Sequence, residues 1–100
     1  MPPSDDGLAI LIVDDRDDKL LALSALLEDV CPNIITAQSG RKALRRLLER
    51  DFAVILLDVN MPDMDGFETA ALIRQRKYSE HTPIIFVTSF GDDMLAAQGY

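Results

Sequence analysis

The stretch "LAILIVDDRDD", residues 8–18, decides the fold. Its first six residues are all apolar, and no polar residue alternates with them, so they predict a β-strand buried on both faces. Such strands belong to parallel sheets that carry helices on both sides. Asp14 and Asp15 follow the strand at once, and Asp17 and Asp18 come two residues later. Charges this close to a core are costly unless something compensates them, so the first two acids need an explanation.

The composition predicts one small globular domain. The chain has 100 residues, of which 48% are apolar and 27% charged. Its net charge of −7 and the lack of a long basic run argue against direct binding to nucleic acid or to a membrane. The single cysteine, Cys31, is interpreted as a small buried side chain and fits the reducing cytoplasm, where we expect the protein. Residues 1–7 are expected to form a flexible amino-terminal tail.

Strand-like and helix-like segments alternate along the rest of the chain. Leu20, Leu23, Leu27 and Val30 recur at helical spacing, and Ala43, Leu44, Leu47 and Leu48 predict the inner stripe of a second helix that opens at Ser39. Further strands are predicted at 34–37, 53–57 and 84–87, with a helix at 67–76 and the opening of another after residue 90. This alternation predicts an α/β fold with a doubly wound parallel sheet.

The carboxyl ends of parallel strands meet at one edge of a sheet, where binding sites of such folds lie. Asp14, Asp15 and Asp58 follow or close two strands and should share one pocket with Thr88, which follows a third. Three adjacent carboxylates repel each other unless a counter-charge is present, and Mg²⁺ prefers such oxygen ligands. The Thr88 hydroxyl could then donate to a phosphate oxygen, and a carboxylate could attack phosphorus.

Three segments resemble the receiver domain of two-component response regulators: "ILIVDDRDD" at 10–18, "LLDVNMPDMDGFE" at 56–68 and "TPIIFVTS" at 82–89. The most specific is the Asp-x-x-Met-Pro-x-Met-Asp-Gly run at 58–66. The resemblance covers residues 8–100 and implies a flavodoxin-like sheet of strand order 2-1-3-4, with the fifth strand and helix of the family absent from this chain.

The resemblance also implies roles for individual residues. Asp58 matches the phosphoacceptor, and Thr88 matches the switch hydroxyl. Asp14, Asp15, Asp58 and the backbone carbonyl of Asn60 match the ligands of Mg²⁺. The implied partners are a sensor histidine kinase or a phosphotransfer domain and a downstream effector, while dimerisation stays open. Such a domain assists its own phosphorylation and dephosphorylation but is not a turnover enzyme.

One feature departs from the family pattern. Receiver domains carry a lysine at the end of a fifth strand, whereas none of Lys19, Lys42 and Lys77 closes a predicted strand. We therefore expect a receiver domain truncated at its carboxyl terminus. The lost lysine leaves open an interaction module that works without phosphorylation.

Other interpretations of the same residues stay open. A haloacid-dehalogenase-like phosphohydrolase also uses a strand-end aspartate with Mg²⁺, but Asn60 stands where a second aspartate would act as general acid. Asp14 and Asp15 could be helix-capping residues, although Asp17 and Asp18 are expected to take that role. Thr88 could be an ordinary hydroxyl at a strand end. Packing roles are expected for Phe52, Phe67, Phe86 and Phe90, and an exposed position for His81.

Overall fold

The computed structural model describes residues 8–87. Four strands and three helices alternate in this range: β1 (Ile10–Val13), α1 (Asp17–Leu27), β2 (Ile34–Ala37), α2 (Gly40–Glu49), β3 (Val54–Asp58), α3 (Gly66–Arg74) and β4 (Ile84–Val87). The alternation predicted from the sequence is confirmed for this part of the chain. The helix expected after residue 90, together with Thr88 and Phe90, lies outside the described residues.

The strands form one parallel sheet in the order β2-β1-β3-β4. This order confirms the flavodoxin-like arrangement that the resemblance implied. Parallel neighbours need a helical crossover between them, and the three helices supply it. The chain adds β2 on one side of β1 and β3 on the other, so the strand order reverses between β1 and β3. Binding sites of such sheets lie in the crevice at this point, beside the carboxyl ends of the two strands.

Helices cover both faces of the sheet. The larger core joins α2 and α3 to one face, where Leu11, Val13, Ile55 and Leu57 are fully or almost fully buried. On the other face, Ile10 and Ile12 pack against Leu20 of α1 and Cys31. β1 is therefore buried on both sides, which explains why its sequence is apolar without alternation. The predicted burial of Cys31 is confirmed.

Three predictions, about the start of β1, the end of α1 and the start of β3, are wrong. Leu8 is exposed and precedes β1, which begins at Ile10. α1 ends at Leu27 because the backbone N–H groups of Val30 and Cys31 both donate to the Leu27 carbonyl, at 2.9 and 3.0 Å, and Val30 then faces solvent. β3 runs over Val54–Asp58 instead of starting at 53; its end at Asp58 agrees with the prediction.

Leu48 is exposed because it lies one residue, and so about 100°, further around α2 than the buried Leu47. The inner stripe of this helix is formed by Ala43, Leu44 and Leu47, as predicted, and Phe52 completes it from the following loop.

α3 covers Gly66–Arg74, shorter by two residues at its end than the pattern predicted. The buried Ser79 hydroxyl donates to the carbonyl of Ile73 at 2.8 Å, which satisfies one of the open acceptors at the helix end. Phe67 and Phe86 are exposed, although their rings contact each other with centroids 5.1 Å apart. Within residues 8–87, no helix is long and apolar enough to span a membrane.

Candidate functional site

The sheet register brings two acids to the same level at the carboxyl edge. Val13 of β1 pairs with Leu57 of β3, so the next residues, Asp14 and Asp58, lie side by side. Their side chains are only 2% and 3% exposed, whereas Asp15 is exposed. One oxygen from each of these three carboxylates lies within 4.8 Å of the others. The convergence expected for Asp14, Asp15 and Asp58 is therefore present.

Asp14 has a local structural role as well. Its Oδ1 accepts a hydrogen bond from the backbone N–H of Arg16 at 3.0 Å, and Arg16 is the residue that precedes the first turn of α1. Asp17 and Asp18 lie in that first turn, as predicted, and Asp18 forms an ion pair with Arg16 at 3.0 Å. The prediction that capping would leave both earlier acids free is wrong for Asp14, which uses one oxygen locally.

Oδ1 of Asp58 is buried and has no hydrogen-bond partner, and it is the one such side-chain oxygen among residues 8–87. Loss of hydration on burial raises the pKa of the Asp58 carboxyl, and the nearby Asp14 charge raises it further. The Asn60 backbone and the positive charge of Lys19 act in the opposite direction. Burial likewise raises the pKa of Asp14, against the hydrogen bond from Arg16. For both buried carboxyls, the loss of hydration outweighs these local hydrogen bonds and the Lys19 charge, and the pKa stays raised.

The donor set fits a hard divalent cation. Such an ion binds carboxylate oxygens. Mg²⁺ in particular keeps several of its waters, so a few protein carboxylates are enough to hold it. A positive ion at this position would bind the Asp58 oxygen that lacks a hydrogen-bond partner. It would also offset the repulsion between the buried charges of Asp14 and Asp58. Apart from Asp14, Asp15 and Asp58, residues 8–87 contain no cluster of three or more potential metal-binding side chains.

The loop after β3 shapes the wall of the site. Its last residue, Asp65, begins α3 through a capping box: Asp65 Oδ1 accepts from the Glu68 backbone N–H at 2.8 Å, and Glu68 Oε1 accepts from the Asp65 N–H. Gly66 donates its N–H to the carbonyl of Val59 at 2.9 Å, which folds the helix start back onto the end of β3. The loop is therefore held to the strand that carries Asp58.

Two further site residues were predicted, Asn60 and Thr88. Asn60 is exposed and follows β3 by two residues; its carbonyl remains a predicted ligand. Thr88 lies outside the described residues, and the residue before it, Val87, pairs with Asp58. His81 is confirmed as exposed, near the opposite edge of the sheet. Sequence reasoning missed Lys19, whose charge acts on Asp14 and Asp58; its position one helical turn after Asp15 was the available signal.

A sequence model described as "Response regulator receiver domain" matches residues 10–100. The chain belongs to this family. Among known proteins, this receiver domain is 36% identical to the signal transduction histidine-protein kinase BarA of Escherichia coli strain K12, over 89% of this chain and 10% of that protein. It is 37% identical to the transcriptional regulatory protein SrrA of Staphylococcus aureus strain NCTC 8325, over 91% of this chain and 36% of that protein.

Solved structures agree with the receiver fold. The chemotaxis protein CheY4 of Vibrio cholerae, crystallised at low pH, superposes with a TM-score of 0.76 at 33% identity, covering 91% of this chain and 78% of that one. A sensor protein from Polaromonas sp. JS666 gives 0.78 at 25% identity, over 88% and 70% of the two chains. The matches cover about nine tenths of this chain, but only 10% of the histidine kinase and 36% of the transcriptional regulator.

Proposed function

We propose that this receiver domain accepts a phosphoryl group on Asp58 and passes the signal on through a change of its surface. The observation that carries the proposal is the meeting of three carboxylates within 4.8 Å, one of which, Asp58, has a buried oxygen without a hydrogen-bond partner. A receiver domain found within a histidine kinase and within a transcriptional regulator supports a place in two-component signalling.

Asp58 acts as the nucleophile. Its carboxylate oxygen forms a bond to the phosphorus of a phosphohistidine while the P–N bond breaks, and the imidazole leaves with the bonding electrons and takes a proton from water. The product is an acyl phosphate on Asp58. Asp14 holds one oxygen against the backbone of Arg16, so that its orientation is set before the donor arrives. Thr88 is proposed to donate its hydroxyl hydrogen to the new phosphoryl oxygen.

Asp14, Asp15, Asp58 and the backbone carbonyl of Asn60 would hold Mg²⁺ at this edge. A bound Mg²⁺ supplies neutralisation of the charge that the carboxylates and the phosphoryl oxygens bring together. The exposed Asp15 leaves one side of the pocket open to water and to the donor.

The partner is proposed to be a sensor histidine kinase or a phosphotransfer domain, with a downstream effector as the recipient of the signal. The domain is not a turnover enzyme, because the phosphoryl group ends on its own side chain. A single buried cysteine fits the reducing cytoplasm, which is the proposed location.

The intact mass of the full chain after incubation with Mg²⁺ and acetyl phosphate tests the proposal. We expect one added phosphoryl group in the wild type and none in Asp58→Asn or after chelation of the metal. Asp51→Asn is the matched control, because Asp51 is an exposed acid just before the same strand, at its opposite end. It should be phosphorylated like the wild type.

An adduct that survives in Asp58→Asn would place the acceptor elsewhere and contradict the proposal. No adduct in any variant, in a chain that is folded by circular dichroism, would favour the phosphorylation-independent interaction module. Continuous release of phosphate from small phosphate esters would instead favour the phosphohydrolase.

A further inference from the structure

An open groove lies between α1, the end of β2 and α2, beside the acid cluster. Its volume is about 320 Å³. Asp17, Leu20, Leu21 and Ser24 of α1 line one side, and Lys42 and Arg46 of α2 line the other; the Asp17 carboxylate accepts a hydrogen bond from Gln38. Thr36 and Gln38 lie between the two sides, at the edge of the sheet, because β2 pairs only with β1 among the strands of residues 8–87.

The basic residues of the chain are concentrated beside this groove. Although the net charge is −7, the ten residues 41–50 hold five of the 10 basic residues and only one of the 17 acids. The five are Arg41, Lys42, Arg45, Arg46 and Arg50. A helix of this charge on an acidic domain creates a local positive surface, which attracts negatively charged partners.

The side chains of Lys42 and Arg46 can still bind a carboxylate from another molecule. Lys42 Nζ donates to the neutral amide oxygen of Gln38 at 3.5 Å, and Gln38 in turn donates to Asp17. Arg46 Nε donates to the Thr36 carbonyl at 3.3 Å, and its Nη1 faces the exposed Glu49 at 3.5 Å. An exposed pair of this length contributes little, so a carboxylate from another molecule can compete for Arg46. The contact with Thr36 meanwhile holds the guanidinium at the groove.

The groove also has an apolar wall that the fold does not use. Leu21 is 74% exposed, the same fraction as Leu26 on the same helix, but only Leu21 lines the groove. Apolar surface flanked by cations matches a peptide that carries acidic and apolar side chains. A duplex nucleic acid or an anionic membrane would extend beyond the groove over Asp14 and Asp15, which repel it.

We infer that this groove binds an acidic, partly apolar peptide segment of a partner protein. Carboxylates of the segment pair with Lys42 and Arg46, and its apolar side chain contacts Leu21. The inference does not depend on phosphorylation of Asp58, and binding is expected to be the same in Asp58→Asn without Mg²⁺. A failure of the phosphotransfer proposal therefore leaves this one standing, and the converse also holds.

The probe is a fluorescein-labelled peptide of alternating glutamate and leucine, titrated with the full chain and followed by fluorescence anisotropy. Nitrogen-15 amide shifts of the same complex locate the contact and should change at Ser24, Thr36 and Gln38. Lys42→Gln combined with Arg46→Gln should raise Kd by roughly tenfold or more. Its matched control is Arg41→Gln with Arg45→Gln, which removes the same charge from the outer face of α2 and should change Kd by less than about threefold.

A second matched pair tests the apolar wall: Leu21→Ser should weaken binding, and Leu26→Ser should not. Equal losses from both pairs of charge variants would reduce the effect to general electrostatics and overturn the inference. So would amide shifts away from the groove, or the absence of any shift. Tighter binding of a DNA duplex or of phosphatidylserine vesicles than of the peptide would show that the partner class is wrong.

Discussion

Asp58 and Asp14 combine two properties that are unfavourable for folding: they are almost fully buried, and each carries a negative charge beside the other. Loss of hydration raises the pKa of both carboxyls. Carboxyls with perturbed pKa values cluster at functional sites, where binding or chemistry offsets the cost of burying them. The cost can be measured directly in the metal-free protein.

Asp58→Asn should stabilise the metal-free protein near neutral pH by about 0.5–2 kcal/mol. Because the folded-state pKa of Asp58 lies above the ordinary value of 3.8, protonation favours the folded state. This contribution is complete below 3.8 and is lost as the pH rises through the folded-state pKa. Urea unfolding at several pH values, with chelator present, measures it. The gain from the substitution should shrink in acid, and a gain that does not change with pH would contradict a raised pKa of Asp58.

Asp63 is the one residue other than glycine with a positive φ among those described, at 67°. The Met64 N–H donates to the Pro62 carbonyl at 2.7 Å, so the three residues close a γ-turn, a strained conformation. An aspartate tolerates this φ better than a branched side chain does.

Asp63→Val should therefore lower the free energy of unfolding by about 1–2 kcal/mol, although the side chain is exposed. Asp63→Gly should stay within about 0.5 kcal/mol of the wild type. Urea denaturation of both variants measures the difference. Equal stability of the two variants would contradict the assignment of strain to this turn.

The start of α3 packs against the end of β3 more closely than a side chain allows. A Cβ at Gly66 would lie 2.3 Å from the Asp58 carbonyl oxygen and 2.8 Å from the Val59 Cα, both backbone atoms. The start of α2 packs closely as well, but a Cβ at Gly40 would meet side-chain atoms, of Thr69 and Met64. Side chains can rotate away, whereas the backbone of β3 is held in the sheet.

Gly66→Ala should consequently destabilise the domain by about 1–3 kcal/mol and slow the proposed phosphorylation of Asp58. The physical reason is that the start of α3 must move away from β3, the strand that carries Asp58, the proposed acceptor. Gly40→Ala is the control, with a smaller loss of stability. Thermal unfolding and the mass-spectrometric phosphorylation rate check both effects, and a normal rate in a destabilised Gly66→Ala would contradict the link to Asp58.

Stability and ligand binding are coupled in a domain of this size, since its net stability is small. A cation that binds the folded site and not the unfolded chain adds to the free energy of unfolding by mass action. The proposed site predicts this for Mg²⁺ but not for a monovalent ion at equal ionic strength.

Mg²⁺ at roughly ten times its Kd should raise the free energy of unfolding by about 1.4 kcal/mol. Removal with a chelator should reverse the effect. Asp14→Asn should abolish it while leaving the protein folded, because the amide keeps the size of the side chain. Chemical denaturation with and without Mg²⁺ is the measurement. Equal stabilisation of Asp14→Asn would contradict a metal site at this edge.

The amino-acid sequence was enough for the order of elements and for the identity of the acids at the site. Unbroken apolar runs such as residues 9–13 specify strands buried on both faces, and the helical spacing of Ala43, Leu44 and Leu47 specifies a helix on the sheet. Both are local patterns, so they can be recognised without the fold. The acids directly after such strands then mark the site edge, because parallel strands end together.

Properties that depend on contacts between distant segments needed the folded chain. The register of β1 against β3 sets Asp14 level with Asp58, and the packing around them removes the water that would keep their pKa values ordinary. Leu48 is exposed because of the face that α2 turns toward the sheet, and Val30 is exposed because α1 ends before it. The groove beside Lys42 likewise exists because α1 and α2 lie on opposite faces of the sheet and approach each other beside β2. Periodicity assigns a residue to an element, but burial, distance and charge arise where elements meet.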